Sequence, residues 1–149
     1  QCLFDQFPVS KENFITAVKE FPGVPGRFEH IHSTHAWYFS GSHNLEAIKS
    51  TINTVKTFKN NRKVIVMGMM KDKISKEILN QTLGFSDRYF YKLEGNRAAS
   101  MVDIPSHFNM KSMNDGNVKY ILSEFKTSLV IFTGSFYFYS TVKDWMSRI

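Results

Sequence analysis

Apolar residues along this chain recur at two spacings, and the alternation between them predicts an architecture. Between Lys11 and Glu20, Phe14, Ala17 and Val18 fall three and four residues apart on one helical face, with Ser10 placed as the N-cap. Phe21-Pro22-Gly23-Val24-Pro25-Gly26 stops that helix, because proline and glycine at such density make a hinge or linker. From Phe28 to Ser40 the pattern predicts two extended runs, with Ala36-Trp37-Tyr38-Phe39 the more apolar and hence the more buried. Asn44 is placed to cap a helix in which Leu45, Ile48, Ile52 and Val55 repeat at helical spacing. Lys63 to Met70 is a β-branched run without alternation, as a strand covered on both faces requires. Ile74 to Leu83 then reads as helix and Arg88 to Leu93 as strand, while Asn96 to Met113 keeps no single period and contains a loop around Pro105. Asp115 is placed to cap a helix bearing Val118, Ile121, Leu122 and Phe125. Ser128 to Thr133 reads as a second buried strand, and Ser135 to Ile149 as a closing helix. Strands alternating with helices predict an α/β fold, a three-layer sandwich around a parallel or mostly parallel sheet. Ligands of such sheets bind at the carboxyl ends of the strands.

Composition narrows the class without naming a function. A chain of 149 residues with 42% hydrophobic and 21% charged residues can bury one core and is neither disordered nor repetitive. Its longest apolar runs, Val64 to Met70 and Leu129 to Phe132, fall far short of the roughly 20 residues that span a membrane. A single cysteine, Cys2, argues against a disulfide framework and predicts a reducing cytoplasm. The opening residue is Gln1 rather than Met, as expected of a fragment of a longer polypeptide or, as the lesser alternative, of a mature secreted protein. The net charge of +6 is scattered rather than gathered into a stripe, which predicts no nucleic-acid partner. An anionic small substrate and a solvated lysine-rich surface account for it equally well.

Four short motifs carry the candidate chemistry: Pro25-Gly26-Arg27-Phe28-Glu29, Gly41-Ser42-His43-Asn44, Gly68-Met69-Met70-Lys71-Asp72-Lys73 and Gly134-Ser135-Phe136-Tyr137. Three of them fall where a strand passes into a helix. At Gly41 to Asn44 unpaired N–H groups and the helix dipole favour an anion or carboxylate, to which His43 can donate; the structural alternative is that Asn44 caps and His43 packs on the turn. Arg27 can hold phosphate oxygens in a planar, bidentate manner, or pair with Glu29 at the surface. Asp72 reads as an N-cap or a substrate contact, and Ser135 as a helix cap, a ligand, or both. His30, His32 and His35 lack a completing cysteine or acidic ligand beyond Glu29, which predicts no metal site. Ser42 lacks the strained glycine elbow of hydrolases, and Cys2 has no context for nucleophilic catalysis. The aromatics from Phe132 to Tyr139 are better explained by core packing than by base stacking. No Gly-rich phosphate loop occurs in the chain.

In this order the four motifs resemble the C-terminal domain of the folylpolyglutamate synthases, members of the Mur ligase superfamily, from about Val9 to the end. The resemblance implies a Rossmann-like fold and an ATP- and Mg2+-dependent ligase that joins glutamate to a folate carboxylate through an acyl phosphate, with dihydrofolate synthase activity in bifunctional members. It implies that Arg27 contacts ATP phosphate, that Ser40 and Asn44 lie on the nucleotide side, that His43 and Ser135 handle glutamate, and that the Asp72-Lys73 turn lies near substrate. Asn96-Arg97-Ala98 resembles a weaker family element. Residues 1–25 would link to a preceding P-loop ATPase domain holding the phosphate loop, folate pocket and most metal ligands, and 26–149 would form the ligase domain. Domain closure would assemble the site, so a cytoplasmic monomer is expected and the isolated domain is expected to be inactive.

Departures matter as much as matches. Where the family reads Asp-Gly-Ala-His-Asn-Pro, this chain has Ser40, Ser42 and Leu45 in place of aspartate, alanine and proline, whereas Gly134-Ser135-Phe136-Tyr137 resembles the family's Thr-Gly-Ser-Leu-Tyr. A serine hydroxyl can bond a ribose or water but supplies no charge, and losing a charge-assisted bond removes about 1.5 to 3 kcal/mol. A non-catalytic binding module of the same fold is therefore one alternative. A muramyl-peptide ligase domain is the other, although its turn after Gly68 should contain Gly-Asp-Arg.

Overall fold

Two of the expected caps start the first two helices. The Ser10 hydroxyl accepts a hydrogen bond from the Asn13 N–H at 3.2 Å and opens α1 (Lys11–Glu20). The Asn44 side chain accepts from the Ala47 N–H at 2.9 Å and opens α2 (Leu45–Lys56). The computed structural model describes residues 9–148, so Gln1, Cys2 and Ile149 lie outside it. Between and beyond these helices run β1 (Glu29–His30), β2 (Trp37–Ser40), β3 (Lys63–Gly68), α3 (Lys76–Gln81), β4 (Asp87–Tyr91), β5 (Lys111–Met113), α4 (Val118–Ser123), β6 (Leu129–Gly134) and α5 (Phe136–Arg148).

The six strands form one sheet in the order β1-β2-β6-β3-β4-β5. Every pairing is parallel except β1 with β2, an antiparallel hairpin at one edge. Alternation along the buried strands sorts their side chains to two faces. Val64, Val66, Val130 and Phe132 pack with Leu122 and Phe125 and with Phe138, Val142 and Trp145 of α5. Ile65, Met67, Leu129 and Ile131 pack on the other face with Ile48 and Val55 of α2 and Ile78 and Leu79 of α3. The result is the expected three-layer sandwich with a mostly parallel sheet. The continuous apolar runs of β3 and β6 follow from this burial on both sides. Among the described residues no helix is long and apolar enough to cross a membrane.

Four local expectations need correction. Asp115 does not cap α4: the neighbouring Asn114 side chain takes the Gly116 and Asn117 N–H groups at 2.9 and 3.1 Å. Its carboxylate is thereby turned toward the sheet, where it accepts from the Trp145 indole at 3.0 Å and the Tyr91 hydroxyl at 3.2 Å. Asp72 is not an N-cap either, because it lies inside a 3-10 turn (Lys71–Lys73), and the Ser75 hydroxyl caps α3 instead by accepting from Ile78 N–H at 3.3 Å. That helix stops at Gln81 and tightens into a 3-10 turn over Thr82–Gly84. Finally, the aperiodic stretch after Asn96 contains β5, whose three residues are too few to show a period.

Candidate functional site

Register brings three of the motifs into one row. Ser40 pairs with Thr133, and Gly68 pairs with Gly134, so β2, β6 and β3 end side by side at the carboxyl edge. The Pro25-Gly26 turn is tied to this row, because Gly41 N–H donates to the Gly26 carbonyl at 2.8 Å. A Cβ at Gly26 or Gly41 would stand 2.6 or 2.7 Å from the Phe136 ring, and one at Gly68 would stand 2.7 Å from the Phe138 ring. The motif glycines therefore have a shared mechanical role: they let the first turn of α5 seat on the strand ends.

Arg27 stands exposed above this seat, its guanidinium carbon 5.1 Å from the centroid of the Phe136 ring. The surface pair with Glu29 does not form. Glu29 instead accepts from Gly26 N–H at 2.8 Å, from the Tyr139 hydroxyl at 2.7 Å and from Lys143 at 3.3 Å, clasping the Arg27 loop to α5. Burial pushes the Glu29 carboxyl up, but the bonds from Tyr139, Gly26 and Lys143 together outweigh it and hold the group below its ordinary value. The same bond, with burial, pushes the Tyr139 hydroxyl up to about 12.

Ser40 is 6% exposed and belongs to a closed ring of hydroxyls. Its Oγ lies 2.9 Å from both Ser42 Oγ and Thr51 Oγ1, which are themselves 2.8 Å apart, and the Thr133 hydroxyl donates to the Ser40 carbonyl at 3.0 Å. In a closed ring each hydroxyl donates once and accepts once, which satisfies all three without a charge. The ring lines a cavity of about 240 Å³ shared with Arg27, Phe28, Ser50 and Thr54. Thr51 was missing from the sequence-based candidates, yet it left a signal: a hydroxyl on the buried stripe of α2, between Ile48 and Val55.

In the Gly41 to Asn44 turn the geometry is that of the structural alternative, a cap and a histidine held on the turn. Asn44 caps α2, while His43 Nδ1 lies 3.1 Å from the Gly41 carbonyl and must be the donor there, which leaves Nε2 to meet a ligand. Ser135 likewise caps: its hydroxyl accepts from Tyr137 N–H at 3.3 Å and its N–H donates to the Gly68 carbonyl at 2.8 Å. Asp72 and Lys73 stand apart from the Arg27 cavity. Asp72 pairs with Arg97 at 3.2 Å and Lys73 at 3.5 Å, and the Arg97 hydrogen bond holds its carboxyl below the usual range. The Asn96-Arg97-Ala98 element is thus structurally joined to this turn, with Lys71 N–H donating to the Arg97 carbonyl at 2.8 Å. A wider cavity, about 670 Å³, opens at the carboxyl ends of β4 and β5 beside Tyr91, Glu94, Asp115 and Asn96 of the weaker family element. The three histidines form a turn rather than a ligand set. His30 Nε2 donates to the His35 carbonyl at 2.8 Å, and among the described residues no three His, Cys, Asp or Glu side chains group as a metal would require.

Comparison with known proteins places this geometry. The family model of the Mur ligase glutamate ligase domain matches residues 26–133. No curated protein matches the sequence. Among solved structures, E. coli FolC in complex with ADP superposes with a TM-score of 0.81 at 25% identity, over 95% of this chain and 36% of that one. The bifunctional folylpolyglutamate synthase/dihydrofolate synthase from Yersinia pestis CO92 gives 0.77 at 21% identity, over 97% and 36%. Mycobacterium tuberculosis folylpolyglutamate synthase complexed with ADP and AMPPCP gives 0.77 at 16% identity, over 98% and 37%. The chain spans a little over a third of the length of these structures, and its Rossmann-like sheet is the fold they share. Since the family match covers most of the chain, this protein belongs to the glutamate ligase domain family of the Mur ligases.

Proposed function

We propose that this chain is the C-terminal, glutamate-handling part of an ATP-dependent ligase that adds L-glutamate to folate, a folylpolyglutamate synthase, with dihydrofolate synthase activity as well only if the parent is bifunctional. The observation that carries the reading is the convergence of the Arg27 loop, Gly41 to Asn44, Gly68 and Gly134-Ser135 at one edge of the sheet. Solved structures of the same fold include complexes with ADP, with AMPPNP and Mn, and with L-glutamate, which supports nucleotide and glutamate as ligands here.

In this reaction a folate carboxylate takes the γ-phosphoryl group of ATP, releasing ADP, and the glutamate amine then displaces phosphate to close the amide bond. Arg27 balances charge on the transferred phosphoryl group, where electrostatic stabilisation matters most. Ser40 and Asn44 face the nucleotide. His43, with Nδ1 fixed on Gly41, offers the Nε2 lone pair to the glutamate ammonium. Ser135 accepts from Tyr137 N–H and keeps its own O–H to donate to a glutamate carboxylate. The Asp72-Lys73 turn, apart from the Arg27 cavity, is assigned to the substrate side of the site. The main magnesium ligands, the phosphate loop and the folate pocket belong, in this reading, to a preceding P-loop ATPase domain of the same polypeptide, linked through residues 1–25, with residues 26–149 forming the ligase domain. We place the whole polypeptide in the cytoplasm as a monomer.

Ser40 favours a second reading, a non-catalytic module, because its ring is satisfied without a ligand and carries no charge. The deciding assay follows ADP release and product mass with the intact parent polypeptide, ATP, magnesium, glutamate and tetrahydrofolate or dihydropteroate. A glutamyl mass increment that disappears in Arg27→Ala and His43→Ala is the expected result. No product from the parent, with activity restored by Ser40→Asp, identifies a ligase decayed at one position; no product from either the parent or Ser40→Asp supports the module.

A further inference from the structure

We infer that Phe136 is a positioning residue: its ring holds the Arg27 guanidinium in place without occupying the N–H groups that would meet phosphate. The inference rests on the phosphate role proposed for Arg27. Its geometric basis is independent of that role. Phe136 is the first residue of α5, and its ring is wedged against Gly26 and Gly41 so closely that a single added carbon on either would collide with it. The residue is nonetheless 43% exposed, and Arg27 lies over its ring. The same glycine that abuts the ring directly precedes Arg27, and both of its polar groups are fixed, N–H by Glu29 and carbonyl by Gly41. Platform and backbone are therefore set by one group of contacts.

The chemistry of the platform follows from what it replaces. An arginine oriented by a carboxylate gives up N–H donors to it and has part of its charge cancelled. Among the described residues Arg27 makes no ion pair, and the acid of its own motif is taken by Gly26, Tyr139 and Lys143. An aromatic face attracts the guanidinium through its quadrupole, leaving the in-plane fork of donors and the full charge for an incoming anion.

The test uses the intact parent polypeptide. ADP affinity by calorimetry, and ATP KM against kcat, are compared for Phe136→Leu, Phe136→Tyr, Arg27→Ala and the Arg27→Ala/Phe136→Leu pair. Leucine keeps apolar bulk at the seat and removes the ring face. We expect Phe136→Leu to weaken ADP binding about two- to fivefold, Phe136→Tyr to retain the parental affinity, and Phe136→Leu to add nothing once Arg27 is alanine. An undiminished loss in the Arg27→Ala background, or failure of tyrosine to retain affinity, would overturn the inference and reduce Phe136 to packing. Nuclear magnetic resonance of the nucleotide-free protein separates this from failure of the phosphate reading. A ring-current shift of the Arg27 side-chain protons that vanishes in Phe136→Leu establishes the pair, and its absence refutes it. If the shift is present while Arg27→Ala leaves ADP affinity unchanged, the phosphate role is what fails, and the positioning role with it.

Discussion

A Cβ at Gly134 would overlap the Gly68 carbonyl oxygen of the neighbouring strand, and the backbone there has φ of 130°, a conformation that side chains avoid. Gly134→Ala therefore forces β3 and β6 apart at the point where their ends hold Ser135. We expect a loss of about 3 kcal/mol or more in denaturant unfolding. The hydroxyl ring yields a milder prediction. Thr51→Val keeps the shape of the side chain but breaks the ring, leaving Ser40 and Ser42 each one partner short, for a cost of about 1 to 3 kcal/mol in the same measurement. Ser40→Asp should be tolerated better than an ordinary buried charge, because both remaining hydroxyls can turn their protons toward the carboxylate. At this scale the sequence revealed the motif residues and the substitution at Ser40 but not their partners. Thr51 is eleven positions from Ser40, and Tyr139 is 110 positions from Glu29. Only the fold makes either pair neighbours.

Helix starts were legible where a side chain caps the backbone three residues on, as Ser10 and Asn44 do, because such a bond needs no tertiary context. The Asp115 expectation failed for the converse reason, since Tyr91 and Trp145 come from distant elements and compete for its carboxylate. Helix α1 shows what a legible pattern leaves open. It forms as read, yet none of its ten residues is buried, so its opening exposes little apolar surface. Hydrogen exchange should find its amides the least protected of any helix and those of β3 and β6 the most. The β1–β2 hairpin adds a pH dependence. His32 Nδ1 accepts from the Thr34 and His35 N–H groups at 3.2 and 3.3 Å, which requires a neutral ring, and burial followed by the charges of His35 and His30 lowers its pKa from 6.5. As pH falls through 6.5 the unfolded chain takes up this proton before the folded one does. This contribution to stability is present above that value and is lost below it. The thermal midpoint should drop between pH 7.5 and 5.5, by less in His32→Asn.

At the scale of the molecule, the candidate site is one wall. The Arg27 cavity measures about 240 Å³ and opens to solvent, whereas pockets that bury most of a nucleotide-sized ligand run from about 300 to 1,000 Å³. Its one cation, Arg27, rests on an exposed ring at the rim instead of closing over the cavity. A wall of this kind gains affinity when a second surface meets the same ligand, because the second contact becomes intramolecular. The matched structures have nearly three times the chain length, which leaves room for such a surface. The isolated chain should therefore bind ADP at least about 100-fold more weakly than the intact parent, with no turnover of ATP. Calorimetry on the two proteins, with Arg27→Ala in each, makes the comparison. A large difference that Arg27→Ala narrows would mean that this wall contributes to a site completed elsewhere. Equal affinities would mean that the nucleotide site is complete within these 149 residues, and the division of labour proposed between the two domains would have to be redrawn.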